Sequence, residues 1–317
     1  MIGLVDGNNF YVSCELALNP KLAGKPVAVL SNNDGCCVAM SPEFKALGIP
    51  RGTPYFQLKD RESRREGDGG LVFLSSNYEL YGDMSQRIVS ILRREAFEVE
   101  QYSIDEAFIC PPTSAESDLM AYGRALRKQI RDWVGIPCGV GFAKTKTLAK
   151  IANHIGKKLP GGVFVMPDDP TEILAQLPAD EVWGVGRRLP AKLRAERIFS
   201  AKDLRDAPDD VLRQVGGVVL LRTALELRGI ASNQDRDYDA DPDSVSCSRS
   251  FGEPVTTLEA LSESVGSASE GLKCRQPLWR MKRDKLSGVS TTDCKLGATF
   301  GWRFAAGGVI WYTIRTV

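Results

Sequence analysis

The sequence predicts a chain of two characters: an α/β or α+β domain over residues 1 to about 166, then a helical region over 167–229. Three observations carry this. Short apolar runs alternate with segments of helical period through the first half, which is how layered mixed domains read. From Pro167 the strand-like runs stop and helical patterns with short turns take over. An Asp-rich stretch, with five Asp and one Arg between Ala231 and Asp243, breaks that pattern and reads as a linker. At 317 residues the chain exceeds one ordinary domain, so two to four are expected.

Each element follows from its local pattern. Residues 2–6 form a buried strand, and Asn8 or Asn9 can cap a helix to Ala17. Strands are expected over 25–30 and 36–40, separated by a turn at Ser31-Asn32-Asn33-Asp34-Gly35. A helix over 42–47 ends at Gly48. The charged, Gly-containing stretch 61–70 reads as a loop. In 78–97, Leu80, Met84, Ile88, Ile91 and Leu92 fall on one helical stripe. A single strand over 99–109 follows and carries Asp105 and Glu106. Then come a helix over 119–134, a strand over 138–143, a helix opening at Lys146 and a strand over 161–165. Beyond the linker, 246–251 resumes as a strand.

Composition narrows the function classes. A net charge of +1 leaves no global basic signature, but the charge is uneven: 272–317 holds nine Lys/Arg against two Asp. Eight Cys without a Cys-x-x-Cys pair, and one histidine, speak against a zinc site, a disulfide framework and any His-based triad. The chain lacks a basic apolar leader and a run of membrane length, so a cytoplasmic protein with no membrane contact is expected.

The chemistry concentrates in carboxylates. Asp6 closes the run Ile2-Gly3-Leu4-Val5, and Asp105 and Glu106 sit in Tyr102-Ser103-Ile104-Asp105-Glu106-Ala107-Phe108. A carboxylate in such a run is costly unless it is paired or binds a metal. Three of them at neighbouring strand ends would suit hard divalent cations and phosphoryl or nucleotidyl transfer. Solvated carboxylates on an edge strand are the bland reading. Phe10 and Tyr11 read as helix core by pattern, yet directly above a metal-bound substrate they would stack on or limit a sugar. Lys45, near Arg51, can hold phosphate oxygens or simply be solvated. Lys144, Lys146, Lys150, Lys157 and Lys158 cluster at a strand-to-helix junction and fit phosphate or nucleic-acid contact as well as a solvated face. Val182-Trp183-Gly184-Val185-Gly186-Arg187-Arg188 reads as a helix-hairpin-helix turn whose amides can meet a phosphate, or as an ordinary turn.

In order along the chain, these segments resemble the Y-family translesion DNA polymerases, and among them the UmuC-like catalytic subunits of bacterial DNA polymerase V. The likeness rests on 6–15, 24–35, Lys45-Ala46-Leu47-Gly48, Ser75-Ser76-Asn77-Tyr78-Glu79-Leu80-Tyr81, 102–108, 139–153, 182–188 and Cys247-Ser248-Arg249-Ser250-Phe251-Gly252. It implies an α+β right-hand polymerase: palm from 1–18 and 76–166, small fingers over 19–75, a helical thumb over 167–230, a linker over 231–243 and a partial little finger over 244–317.

The resemblance also implies roles. Asp6, Asp105 and Glu106, with the Gly7 carbonyl, would hold two Mg²⁺ ions. Tyr11 would be the steric gate against ribonucleotides with Phe10 beside it, and Lys45 and Lys157 would contact the triphosphate. Gly184, Gly186, Arg187 and Arg188 would grip primer–template phosphates. The implied activity is error-prone DNA synthesis from dNTPs in the SOS response. The implied partners are a processed UmuD-like dimer and a recombinase filament. Pro190 departs from the family pattern and is expected to interrupt the helix after the hairpin. After about Val265 the likeness fades. The tail shows no convincing strands and no clamp-binding peptide, which implies a truncated or frame-disrupted little finger. Two other classes remain: a catalytically impaired DNA- or partner-binding remnant, and a nucleotidyl cyclase on a related palm.

Overall fold

The computed structural model describes residues 1–31, 34–62, 70–233, 245–247, 299–304 and 310–316. The chain divides into two compact units, one of Met1–Val27, Ala39–Gly48 and Asn77–Asp237, the other of Ala28–Val38, Ile49–Ser76 and Tyr238–Val317.

The first unit opens with β1 (Ile2–Gly7) and α1 (Phe10–Leu18). Strands β2 (Val27–Leu30) and β3 (Cys37–Met40) and helix α2 (Pro42–Ala46) follow, then β4 (Val72–Leu74) and α3 (Tyr78–Glu95). Next come β5 (Glu98–Gln101), β6 (Glu106–Cys110), α4 (Glu116–Val134), β7 (Cys138–Ala143), α5 (Lys146–Gly156) and β8 (Val163–Val165). The helical region holds α6 (Thr171–Gln176), α7 (Leu189–Ala195), α8 (Ala201–Asp206) and α9 (Asp209–Leu227). Three further strands are β9 (Val245–Cys247), β10 (Thr299–Phe304) and β11 (Ile310–Thr316).

Five strands form one sheet in the order β5-β6-β1-β7-β8. β1 is antiparallel to both neighbours, while β7 and β8 run parallel. Burial on both sides explains why β1 and β7 are nearly all apolar or glycine. Helix α5 is pressed hard onto β7. A Cβ at Gly141 would fall 2.1 Å from the Asn153 backbone nitrogen, so a side chain there would force the helix off the sheet. One apolar cluster runs from Leu4 and Phe108 in the sheet through Leu148 and Ile151 of α5 to Leu193, Leu212 and Leu227 of the helical region. That region therefore shares its core with the sheet.

Glu226 fastens the two at the α5 N-terminus and is 1% exposed. Its Oε2 accepts from Thr147 N at 3.0 Å, and its Oε1 accepts from Ser232 N at 2.7 Å and Asn233 N at 3.0 Å. The Thr145 hydroxyl, which caps α5, donates to the Glu226 carbonyl at 2.8 Å. A buried charge is tolerated here because backbone donors and the helix dipole meet it.

The expected single strand over 99–109 is two strands. Gln101 pairs with Ala107, and residues 102–105 turn between β5 and β6. The turn contains no Gly, Pro or Asn, and its Ser103 and Asp105 stand singly rather than in the cluster that usually marks a loop. Ser103 makes it instead: its hydroxyl accepts from Glu106 N at 3.1 Å, and Ser103 N donates to the Glu106 carbonyl at 3.0 Å. Pro190 does not interrupt a helix either. It lies in the first turn of α7, where a missing N–H costs nothing. Asn9 precedes α1 as expected, but with φ of 48° and no side-chain cap bond.

Three short strands form a sheet in the order β3-β2-β4 and three more in the order β10-β11-β9. β10 and β11 were not expected. Their aromatic and β-branched residues, such as Ile310-Trp311-Tyr312-Thr313-Ile314, suit strands, and glycines interrupt the pattern between them. The expected linker and most of the expected 246–251 strand lie outside the described residues, as do 63–69 of the expected loop.

Candidate active site

The sheet register brings the acidic residues together. Asp6 at the end of β1 pairs with Glu106 at the start of β6, and Gly7 N donates to the Asp105 carbonyl at 2.9 Å. All three carboxylates thus belong to one end of adjacent strands, with Asp105 on the turn rather than in a strand. Ser103 Oγ donates to Asp105 Oδ1 at 2.6 Å and fixes that carboxylate on its own turn.

Helix α5 supplies the counter-charges. Lys146, Lys150, Asn153 and Lys157 recur at steps of four, three and four, which places them on one face. Lys157 Nζ lies 2.6 Å from Asp6 Oδ2, and Lys150 Nζ lies 2.7 Å from Glu106 Oε2. Lys146 pairs with Glu100, and Asn153 Nδ2 donates to the Leu4 carbonyl at 3.2 Å. Gly139 lies opposite Asp6 on β7 and makes the first pair possible. A Cβ there would come within 2.6 Å of Lys157 Cγ, blocking the stem that crosses the strand. The basic cluster was legible in the sequence, but three of its five lysines turn inward to carboxylates. Lys144 pairs with Asp168 at 2.7 Å, and Lys158 is exposed.

Burial pushes the Asp6 carboxyl up from 3.8 to about 6; Lys157 opposes this, while Glu106 and Asp105 add to it. A carboxyl raised in the fold contributes stability that is complete below pH 3.8 and is lost as pH rises through 6. A shift of this size corresponds to about 3 kcal/mol. Relative to Asp6→Asn, the parent is expected to lose about that much unfolding free energy between pH 4 and 7. Urea unfolding across that range checks this; parallel curves for the two proteins would refute it.

Among the described residues no group of three acidic, thiol or imidazole side chains converges as a ready metal cluster. The donor set nonetheless fits a hard divalent cation. It is all oxygen, and a doubly charged ion would compensate the burial that raises Asp6 and the repulsion that Glu106 and Asp105 add. Lys157 and Lys150 hold two of its carboxylates in the meantime.

The aromatic pair separates into two roles. Phe10 is 3% exposed and fills the space under Gly7, so its ring belongs to the core. Tyr11 is half-buried and stacks on Tyr81 with ring centroids 4.5 Å apart, with Tyr78 edge-on at 5.8 Å. Tyr81 is fully buried, and its hydroxyl donates to Glu15 Oε1 at 2.7 Å. Sequence reading missed this support, although Tyr78 and Tyr81 stand three apart at the start of one helix. Lys45 donates to Asn9 Oδ1, next to the pair, whereas Arg51 belongs to the second unit.

Gly184, Gly186, Arg187 and Arg188 all lie exposed on the turn before α7, Gly184 with φ of 95°. The structure does not bring them to the carboxylates. It brings Trp183 of the same turn, which helps line a cleft of about 970 Å³ reaching Asp6, Glu106, Lys150 and Lys157. Burial pushes the Cys14 and Cys138 thiols to about 12 and Cys37 to about 11, which keeps these three protonated. Among the described residues no helix is long and apolar enough to cross a membrane.

This geometry has relatives. Protein UmuC of Salmonella typhimurium is 45% identical over 84% of this chain and 64% of its own length. Protein MucB of Escherichia coli is 42% identical over 84% and 63%, and DNA polymerase IV of Pelotomaculum thermopropionicum 35% identical over 80% and 61%. The chain thus spans less than two thirds of the length of these relatives. Among solved structures, a Y-family DNA polymerase chimera of Dbh and Dpo4 superposes with a TM-score of 0.75, at 19% identity, over 100% of this chain and 98% of that one. An insertion ternary complex of Dbh DNA polymerase gives 0.62 at 23% identity over 86% and 80%. The α+β fold is that of the Y-family DNA polymerases. The pattern of the impB/mucB/samB family matches residues 5–154, which hold all three carboxylates together with Lys146 and Lys150, so the chain contains a domain of that family.

Proposed function

We propose that this chain is a DNA-directed DNA polymerase that extends a primer 3′-hydroxyl with dNTPs, in error-prone translesion synthesis during the SOS response. One observation carries the reading: Asp6, Asp105 and Glu106 share one end of adjacent strands on a Y-family fold. Asp6, Asp105, Glu106 and the Gly7 carbonyl would hold two Mg²⁺ ions, which supply Lewis-acid activation of the hydroxyl and charge stabilisation at the phosphates.

The chain's own residues do the rest. Lys157 exchanges its pairing with Asp6 for the triphosphate when nucleotide enters, and Lys45 leaves Asn9 to meet the same oxygens. Tyr11, backed by Tyr81, presents a fixed ring edge at the sugar, with Phe10 holding the backbone beneath it. Gly184 and Gly186 offer open backbone to primer–template phosphates, with Arg187 and Arg188 adding charge. In this reading residues 1–18 and 76–166 act as palm, 19–75 as fingers, 167–230 as thumb and 244–317 as little finger. A processed UmuD-like dimer and a recombinase filament are the partners, and the cytoplasm is the compartment, that the UmuC likeness brings with it.

Single-nucleotide insertion opposite each template base tests the reading. Products that follow the template support it; template-independent or cyclic nucleotide products overturn it. Tyr11→Ala is expected to raise ribonucleotide insertion relative to deoxyribonucleotide roughly 100-fold, the scale on which a shaped apolar surface rejects one hydroxyl. Unchanged sugar selectivity would remove Tyr11 from that role.

A further inference from the structure

Lys150 sits in surroundings that a surface ion pair does not need. Its ammonium is 2.7 Å from Glu106 Oε2 and also lies over three rings: Tyr102 at 4.5 Å, Trp183 at 5.0 Å and Phe108 at 5.9 Å. Tyr102 and Trp183 meet edge to face at 5.5 Å, closing the box, and the Lys150 side chain is 15% exposed. Four segments build it: the β5–β6 turn, β6, α5 and the hairpin before α7. One helical turn earlier, Lys146 repeats half the pattern with Glu100 and the Phe108 ring at 5.4 Å. Ring faces attract an ammonium and replace part of its lost water, so the box holds the charge in one place. The carboxylate that this ammonium holds is one of those that the proposed function assigns to the metal ions.

We propose that Lys150 is a resident counter-ion of Glu106, held by the Tyr102–Phe108–Trp183 box, that competes with divalent metal for that carboxylate and ties the metal requirement to the hairpin through Trp183. This rests on the metal-binding reading of the site. Lys150 is a positioning residue: it holds the Glu106 carboxylate in place before the metal arrives, and it yields when the metal binds. Movement of the hairpin carries one wall of the box with it, which loosens the ammonium and frees Glu106.

The test is the Mg²⁺ midpoint of thermal stabilisation of the full chain. Lys150→Met keeps the apolar stem and removes the competing charge. Its midpoint is expected about tenfold below the parent's, the effect of one nearby unit charge at an effective dielectric constant of about 20 after partial screening. Lys150→Arg is expected to stay near the parent. Trp183→Leu opens the box without touching the lysine and is expected to lower the midpoint by a smaller factor; it also serves should Lys150→Met fail to fold. A merely structural role would lower the melting temperature of these variants in the absence of Mg²⁺ and leave the midpoint alone. A parental or higher midpoint in Lys150→Met and Trp183→Leu, with the parent responding to Mg²⁺, overturns the counter-ion role alone. A parent without a saturable Mg²⁺ response that Asp105→Asn removes overturns both this and the metal reading.

Discussion

Replacing Glu226 by alanine is expected to lower the unfolding free energy by about 3 kcal/mol and the melting temperature by about 10 °C. The carboxylate is buried and accepts three backbone N–H bonds, from Thr147, Ser232 and Asn233. Alanine removes every acceptor at once and leaves the donors unmatched, and each buried unmatched donor costs on the order of 1–3 kcal/mol. The α5 N-terminus also loses its anion. Glu226→Gln keeps an acceptor oxygen and is expected to lose about a third as much. Thermal unfolding monitored by circular dichroism checks this, and an alanine variant melting within 2 °C of the parent would show that Glu226 does not fasten α9 to α5. Because α5 carries Lys150 and is followed at once by Lys157, the same substitution reaches the Glu106 and Asp6 carboxylates indirectly.

Asp105→Asn is expected to reduce primer extension by about 10³-fold or more while primer–template binding persists. In the proposed mechanism several kcal/mol of charge stabilisation at the reacting phosphates would depend on this carboxylate, and each 1.4 kcal/mol is tenfold in rate. Asparagine has nearly the same shape and can still accept from Ser103 Oγ, and the Asp105 carbonyl still accepts from Gly7 N. The turn, the sheet register and the exposed hairpin are therefore expected to survive. Loss of extension together with loss of folding would mean that the charge serves the turn rather than the chemistry.

The parts of the fold that were legible are those in which one local pattern dominates. β7 has the bounds expected from Cys138–Ala143, and α3 follows the stripe of Leu80, Met84, Ile88, Ile91 and Leu92. The β5–β6 hairpin was not legible, because a serine side chain makes that turn where glycine or asparagine usually does. Nor was the shared core, since Leu193, Leu212 and Leu227 meet Leu4 and Phe108 of the sheet and Leu148 of α5 in one cluster across long stretches of sequence. At the site, residue types and spacing pointed to Asp6, Asp105 and Glu106, but pairing depends on register, and Asp6 opposite Glu106 follows only from the β1–β6 ladder. The inward lysines had a readable signal: Lys146, Lys150, Asn153 and Lys157 fall on one helix face. Charge alone suggested phosphate, while the sheet supplied carboxylates first. The Trp183 contact lay beyond reach because it joins segments with no pattern in common.

The most direct measurement of the proposed activity is Mg²⁺-dependent primer extension by the full chain on an undamaged and an abasic template, beside the Asp105→Asn variant with binding to the same DNA recorded for both. Template-directed extension by the parent, including past the abasic site, and its loss in a variant that still binds DNA, is the expected result. Equal extension by parent and variant, or a parent that binds primer–template in Mg²⁺ and adds no nucleotide, would contradict the assignment of Asp6, Asp105 and Glu106 as a polymerase centre.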